Sequence, residues 1–310
     1  MSATWSRREF LRAAGVLGGS VGLMSFGRAE EATPPSLSAY QFECQVWVGY
    51  EKQTIACYRA HATQKYPYFY PFIGPATGRP LTTEAGDQYP HHRSILFACD
   101  RVNGANYWQE GLDRGRILST GVTSEAQPDR VIVRDACEWR QPTGETDITD
   151  ARAFTITAPA PGVRLLAADI ICTAARPVQI QRTNHALFAV RAALDLAPVG
   201  GGKLRSSEGA EAEAGTFGKP ARWCTFFGSR LGTTEGVALM DHPGNPWAPC
   251  TWFTRDYGFI SPTPMNWLGD DGLRLEAGQS LRMRYLVVGY AGTPDEADLP
   301  GVYSQWVGAA

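Results

Sequence analysis

The chain has 310 residues, 44% of them hydrophobic, enough to bury a sizeable core in one large β architecture or in two small domains. Its 29 basic and 31 acidic residues nearly balance and form no basic cluster beyond the N-terminus, which excludes nucleic acid and anionic membrane as partners. Seven cysteines with no C-x-x-C pair exclude zinc-ribbon and thioredoxin chemistry and read mostly as free, buried thiols.

The N-terminus carries Ser6-Arg7-Arg8-Glu9-Phe10-Leu11-Arg12, then a glycine-containing apolar run at 13–26, small residues and Pro34-Pro35. A charged head, a short apolar stretch and a small-residue cleavage region make an export signal, and paired arginines ahead of Phe10-Leu11 mark the twin-arginine type. Residues 1–32 are assigned to this signal and its cleavage region. Residues 36–310 are assigned to one β-sandwich domain, exported folded to the periplasm or another extracytoplasmic site. The competing reading, a basic amphipathic helix of the domain itself, is disfavoured by the glycines. No later stretch reaches the roughly 20 apolar residues that a membrane-spanning helix needs.

Period-2 alternation follows. It predicts a strand over 41–50, a turn at Glu51-Lys52 and a strand over 53–59, then strands at 130–138, 153–158, 163–173, 178–183, 186–192, 223–227, 237–240 and 281–290. The proline-broken aromatic run at 66–75 belongs at a sheet edge or an irregular crossing, and 199–215 reads as a long polar loop. Only 293–307 reads as a helix, with Thr293 as N-cap and Pro294 at its first position. Many short strands punctuated by Gly and Pro mean antiparallel sheets packed face to face, an all-β fold and a large antiparallel β-sandwich.

Four of the five histidines fall in polar, aromatic-rich segments: Pro90-His91-His92-Arg93, Thr183-Asn184-His185 and Asp241-His242-Pro243-Gly244-Asn245. Histidine titrates near neutrality and moves protons, so His92, His185 and His242, with Asp241 orienting His242, are the candidate acid-base groups. The alternative for each is a hydrogen-bonding residue that fixes loop geometry. His61 lacks such neighbours and is expected at the surface. His91, Arg93, Asn245, Trp252, Arg255 and Tyr257 are candidates for gripping a ligand, because flat aromatics beside Arg and Asn suit a pyranose, whose apolar C–H faces are rimmed by hydroxyls. For Trp252 the alternative is a core aromatic, and for Arg93 an ion pair with Asp87 or Asp100. A divalent metal on some of His91, His92, His185 and His242 plus Asp241 is a metal-assisted version of the same chemistry; no other cofactor is implied. Two-carboxylate glycosidase chemistry would draw on a pair among Asp87, Glu110, Asp241 and Asp256.

The segments Pro67-Tyr68, Tyr70-Pro71 and Gly74, then Pro90-His91-His92-Arg93-Ser94, Val102-Asn103-Gly104 and Trp108, resemble the bacterial family labelled "methane oxygenase PmoA". So do Gly218-Lys219, Met240-Asp241-His242-Pro243, Asn245-Pro246, Trp252-Phe253 and Arg255-Asp256-Tyr257-Gly258. The resemblance spans nearly all of 36–310. It implies a β-sandwich found near sugar oxidoreductases and carbohydrate-degrading proteins, not the membrane helices that the label suggests. Thr183-Asn184-His185 with Phe188 is also similar to the Thr-Asn-His segment of galactose mutarotases, whose fold is a large β-supersandwich; their arginine-asparagine motif is missing here. Together these readings predict an exported protein acting on a small-molecule carbohydrate by hydrolysis, elimination or isomerisation. The alternative is a non-catalytic carbohydrate-binding or partner-binding β-sandwich.

Overall fold

The computed structural model describes residues 36–86, 89–109 and 111–309. The twin-arginine segment and the carboxylates Asp87 and Glu110 lie outside the described residues. Two eight-stranded antiparallel sheets form the fold. The first runs β1 (Leu37–Phe42), β2 (Gln45–Tyr50), β3 (Gln53–Arg59), β4 (Tyr68–Phe72), β5 (Ile95–Cys99), β11 (Ala186–Arg191), β16 (Phe259–Pro262), β15 (Trp252–Arg255). The second runs β12 (Lys203–Ser206), β13 (Trp223–Arg230), β14 (Thr233–Asp241), β18 (Ser280–Ala291), β9 (Val163–Ala174), β8 (Thr146–Ala160), β7 (Arg130–Arg140), β6 (Arg116–Gln127). A ribbon of β10 (Val178–Ile180) and β17 (Leu273–Leu275) lies outside both.

The expected large antiparallel β-sandwich is what the chain forms. One apolar core joins the inner faces of the sheets, with Phe97 against Trp139 at 5.9 Å, Phe188 stacked on Tyr285 at 4.7 Å and Tyr58 against Phe154 at 5.3 Å. Strands β7, β8 and β9 alternate buried and more exposed residues, because their outer face meets solvent. Part of that outer face, near β13, β14 and β18, is covered by the C-terminal helix through Leu299 and Val302. All seven cysteines are free, and all but Cys44 are buried.

Four local expectations change. The stretch 41–50 is not one strand: Glu43 takes a left-handed φ of 50° and turns the chain between β1 and β2. The proline-broken run is no edge strand, since β4 sits between β3 and β5; its irregularity survives as a register shift against β3. The stretch 199–215 is not a loop. Lys203–Ser206 pairs with β13, and α1 (Ala212–Thr216) follows. The helix begins late, as α2 (Leu299–Gly308), capped by the Asp298 side chain accepting from the Gly301 N–H. Thr293 and Glu296 exchange hydrogen bonds in a separate turn before it.

The core also holds charge. The Arg152 and Asp150 side chains are 1% and 0% exposed, joined by paired N–H···O bonds of 2.6 and 2.8 Å, and Asp150 accepts a further bond from the Trp139 indole at 2.6 Å. A buried pair gains little over apolar packing, but a half-pair is costly. Arg152→Met should therefore destabilise the fold by about 3–5 kcal/mol in urea denaturation, and Arg152→Met with Asp150→Leu should recover much of that loss.

Candidate functional site

The antiparallel register of β5 with β11 places Ala186 opposite Cys99. The residues just beyond, His185 and Asp100, are therefore brought side by side. The Asp100 N–H donates to the His185 carbonyl at 3.0 Å, and His185 Nδ1 lies 3.3 Å from Asp100 Oδ2. Thr183 Oγ1 accepts from the His185 N–H at 3.0 Å and fixes the approach to the strand.

Side chains alternate along a strand and share a face with the residue directly opposite. Phe188 and its partner Phe97 point at the second sheet, so Arg191, three residues on, and its partner Phe259 point away from it. The His92 ring lies 4.4 Å from Phe259 and stacks on Tyr89 at 5.0 Å, which in turn meets Tyr257 at 4.7 Å. The site thus sits on the outer face of the first sheet. Residues 89–94 and 100–109 fold over that face, with His92 and Trp108 on Phe259, and β5 and β11 are buried at every residue.

Three imidazoles meet there. His91 is edge-on to His92 at 4.5 Å and to His185 at 5.5 Å, and Trp108 lies 6.0 Å from His185. One ring nitrogen from each of His91, His92 and His185 falls within 4.8 Å of the others, an arrangement able to hold a metal ion. Burial, then the neighbouring His91, Arg191 and His185, push the His92 pKa down to about 2, so its ring is neutral. His92 Nδ1, Asp100 Oδ1 and Trp108 Nε1 are buried without a hydrogen-bond partner among the described residues. Leaving such atoms unsatisfied costs about 1–3 kcal/mol each.

His185 and Asp100 also form one wall of a cleft of about 750 Å³. Its remaining polar lining is rich in amides, from Asn103, Asn106, Gln109, Gln141, Gln181 and Asn184, with Arg101, Asp113 and Arg114. Such a surface offers both donors and acceptors, which a hydroxyl-rich ligand requires.

Of the residues singled out in the sequence, His91, His92, His185 and Tyr257 come together. Arg93 stands over the Tyr68 ring at 5.6 Å. Arg255 lies against Phe217 and Phe253 and is paired with Glu213 at 2.7 Å. Trp252 is fully buried and donates to the Ala221 carbonyl, so it is a core aromatic, not a platform for a ligand. Asp256 accepts from the Glu213 N–H at the start of α1. Exposed His61 bonds only locally, its ring to Thr63 and its carbonyl to the Gln64 N–H, among the described hydrogen bonds.

Asp241, His242 and Asn245 form a separate structural unit. His242 packs against Trp306 of α2 at 5.0 Å, and its Nδ1 accepts from the Gly244 N–H. Asn245 donates to Asp241 Oδ1 and to the Arg284 carbonyl and accepts from the Arg284 N–H, so its amide continues the pairing along β18 as a strand would. Among the described residues, no hydrogen bond or ring contact links this unit to the three clustered histidines. The sequence reading had not placed Asp100, Tyr89, Trp108, Phe259 or Arg191 at the site. Asn103 and Trp108 lie within the segments that carry the family resemblance, which is the available signal.

Burial lifts the Asp241 carboxyl from its ordinary 3.8 to about 6, against the hydrogen bond from Asn245. The folded pKa exceeds the unfolded one, so this group's contribution is most favourable below pH 3.8 and is lost as pH rises through about 6. Asp241→Asn should gain stability over the parent above pH 6, on the order of 2 kcal/mol, and lose that advantage near pH 4, as read by urea denaturation across this range.

A family model described as "Family of unknown function (DUF6807)" matches residues 45–304. The methane-oxygenase label does not come with it. No curated protein sequence matches the chain. Among solved structures, galactose 1-epimerase from Lactobacillus acidophilus NCFM is similar over 84% of this chain and 99% of that one, at 7% identity and a TM-score of 0.43. A GalM/aldose epimerase homologue from C. elegans is similar over 83% and 99%, at 9% identity and a TM-score of 0.35. A polysaccharide lyase is similar over 86% of this chain and 34% of that chain, at 12% identity and a TM-score of 0.28.

Proposed function

The chain belongs to this family of unknown function, and from the chemistry of its own cleft we propose that it is an exported enzyme acting on a sugar or glycoside. The observation that carries the proposal is the joining of two features in one place. The amide-rich cleft ends on His185, and His185 is held by the buried carboxylate of Asp100.

The amides and guanidinium groups would bind hydroxyls, and the volume of about 750 Å³ suits a small saccharide. The histidine end would handle the proton that hydrolysis, elimination or isomerisation must move. Asp100 would set the tautomer and orientation of His185, as a carboxylate does for a working imidazole. The gripping residues proposed here are the cleft amides. They replace Trp252, which the core holds, and Asn245, which completes a strand edge.

The test is a screen of aldoses, glycosides and 3-keto-glycosides against the purified protein, followed by variants on the substrate found. His185→Ala should lower kcat by about 10²–10⁴-fold. Gln181→Ala should act mainly on KM. Undiminished turnover in His185→Ala would remove the enzymatic reading, and sugar binding with no turnover of any substrate would favour a binding module.

Export is proposed from Arg7-Arg8 and the apolar run that follows. Replacing both arginines by lysine should leave the full-length precursor in the cytoplasmic fraction, whereas the parent is recovered outside it in shortened form. Equal export of the two would overturn the twin-arginine assignment.

A further inference from the structure

We propose that His91, His92 and His185 form a three-imidazole site for a divalent metal ion, zinc or a neighbouring first-row ion, with Asp100 as the outer partner that orients His185. Four independent observations meet at this point. The three rings, which come from the loop before β5 and the loop before β11, converge with one nitrogen each inside 4.8 Å. Zinc–nitrogen bonds of 2.0–2.1 Å in a tetrahedral set put ligand nitrogens about 3.3 Å apart, so small ring rotations close the site.

Second, His185 already has the outer contact that metal-bound histidines show, a ring nitrogen directed at a carboxylate, here Asp100 Oδ2 at 3.3 Å. Third, His92 and Asp100 are 3% and 4% exposed, and His92 Nδ1 and Asp100 Oδ1 have no hydrogen-bond partner among the described residues. Fourth, the ligand set is all imidazole, which favours zinc, cobalt or nickel over magnesium or calcium.

His91 and His185 are only partly buried, and His185 with Asp100 lines the cleft. A three-histidine ion keeps an open position, the pattern of a working metal rather than a structural one. There the ion would polarise a bound oxygen or a water molecule.

The inference goes beyond the sugar reading and needs no substrate. Protein stripped with chelator is titrated with Zn²⁺ by calorimetry and with Co²⁺ by visible absorption, and metal content is measured after dialysis. The expected result is one equivalent per chain, with loss of at least 100-fold in affinity in His91→Ala and in His185→Ala. Asp100→Asn should weaken binding by about 10–100-fold, and His61→Ala should leave it unchanged. Circular dichroism confirms that each variant is folded. His91→Gln, at a partly exposed position, stands in if an alanine variant is not. Folded parent protein that takes up no Zn²⁺ or Co²⁺, or uptake that survives loss of both His91 and His185, would overturn the site. Metal uptake without turnover of any sugar would defeat the functional proposal and leave the metal site standing; sugar turnover by protein that takes up no Zn²⁺ or Co²⁺ would do the reverse.

Discussion

The pairing of β5 with β11 is the constraint on which the candidate site depends. Five residue pairs, from Ala186–Cys99 to Val190–Ile95, fix which side chains face the second sheet and which face the covering loops. Phe97 and Phe188 are committed to the core by this register, and Asp100 and His185 are committed to each other just past its end. A slip of one residue would exchange the two faces. A slip of β11 would send Phe188 outward and leave Asp100 without His185.

Because both faces of these central strands are covered, they look different in sequence from their neighbours. The strands β7, β8 and β9 alternate, since solvent lies on one side, and period-2 reading finds them directly. Ile95-Leu96-Phe97-Ala98-Cys99 is apolar throughout and gives no alternation, so β5 was not anticipated. Strand β12 was missed for the opposite reason. Lys203-Leu204-Arg205-Ser206 is polar enough to read as loop, and only its pairing with β13 makes it a strand.

The site was partly legible on the same terms. Histidine is scarce, and its occurrence beside prolines and polar turns pointed to 91, 92 and 185 without any knowledge of pairing. Asp100 was not legible as their partner, because 85 positions separate it from His185 and only the strand register joins them. The cleft amides are distributed over three loops and carry no local pattern. Trp252 shows the limit from the other side. An aromatic next to polar residues can face either way, and here β15 turns it inward, where its indole bonds the Ala221 carbonyl.

The Asp241-His242-Pro243-Gly244-Asn245 segment resembles a catalytic loop in composition and is a structural device in the fold. β14 and β18 pair as far as Asp241 and Tyr285, and beyond that point β14 gives way to the turn, whose His242 N–H reaches the Arg284 carbonyl at 3.3 Å. Asn245 completes this edge with one side chain, donating to the carbonyl of Arg284 and accepting from its N–H. The same amide bonds Asp241, whose raised pKa follows from burial at this sheet end. A perturbed carboxylate beside a histidine is therefore not by itself a catalytic pair. What separates the two histidine groups is their surroundings: His242 faces Trp306 of the C-terminal helix, while His185 faces a carboxylate, two further imidazoles and an open cleft.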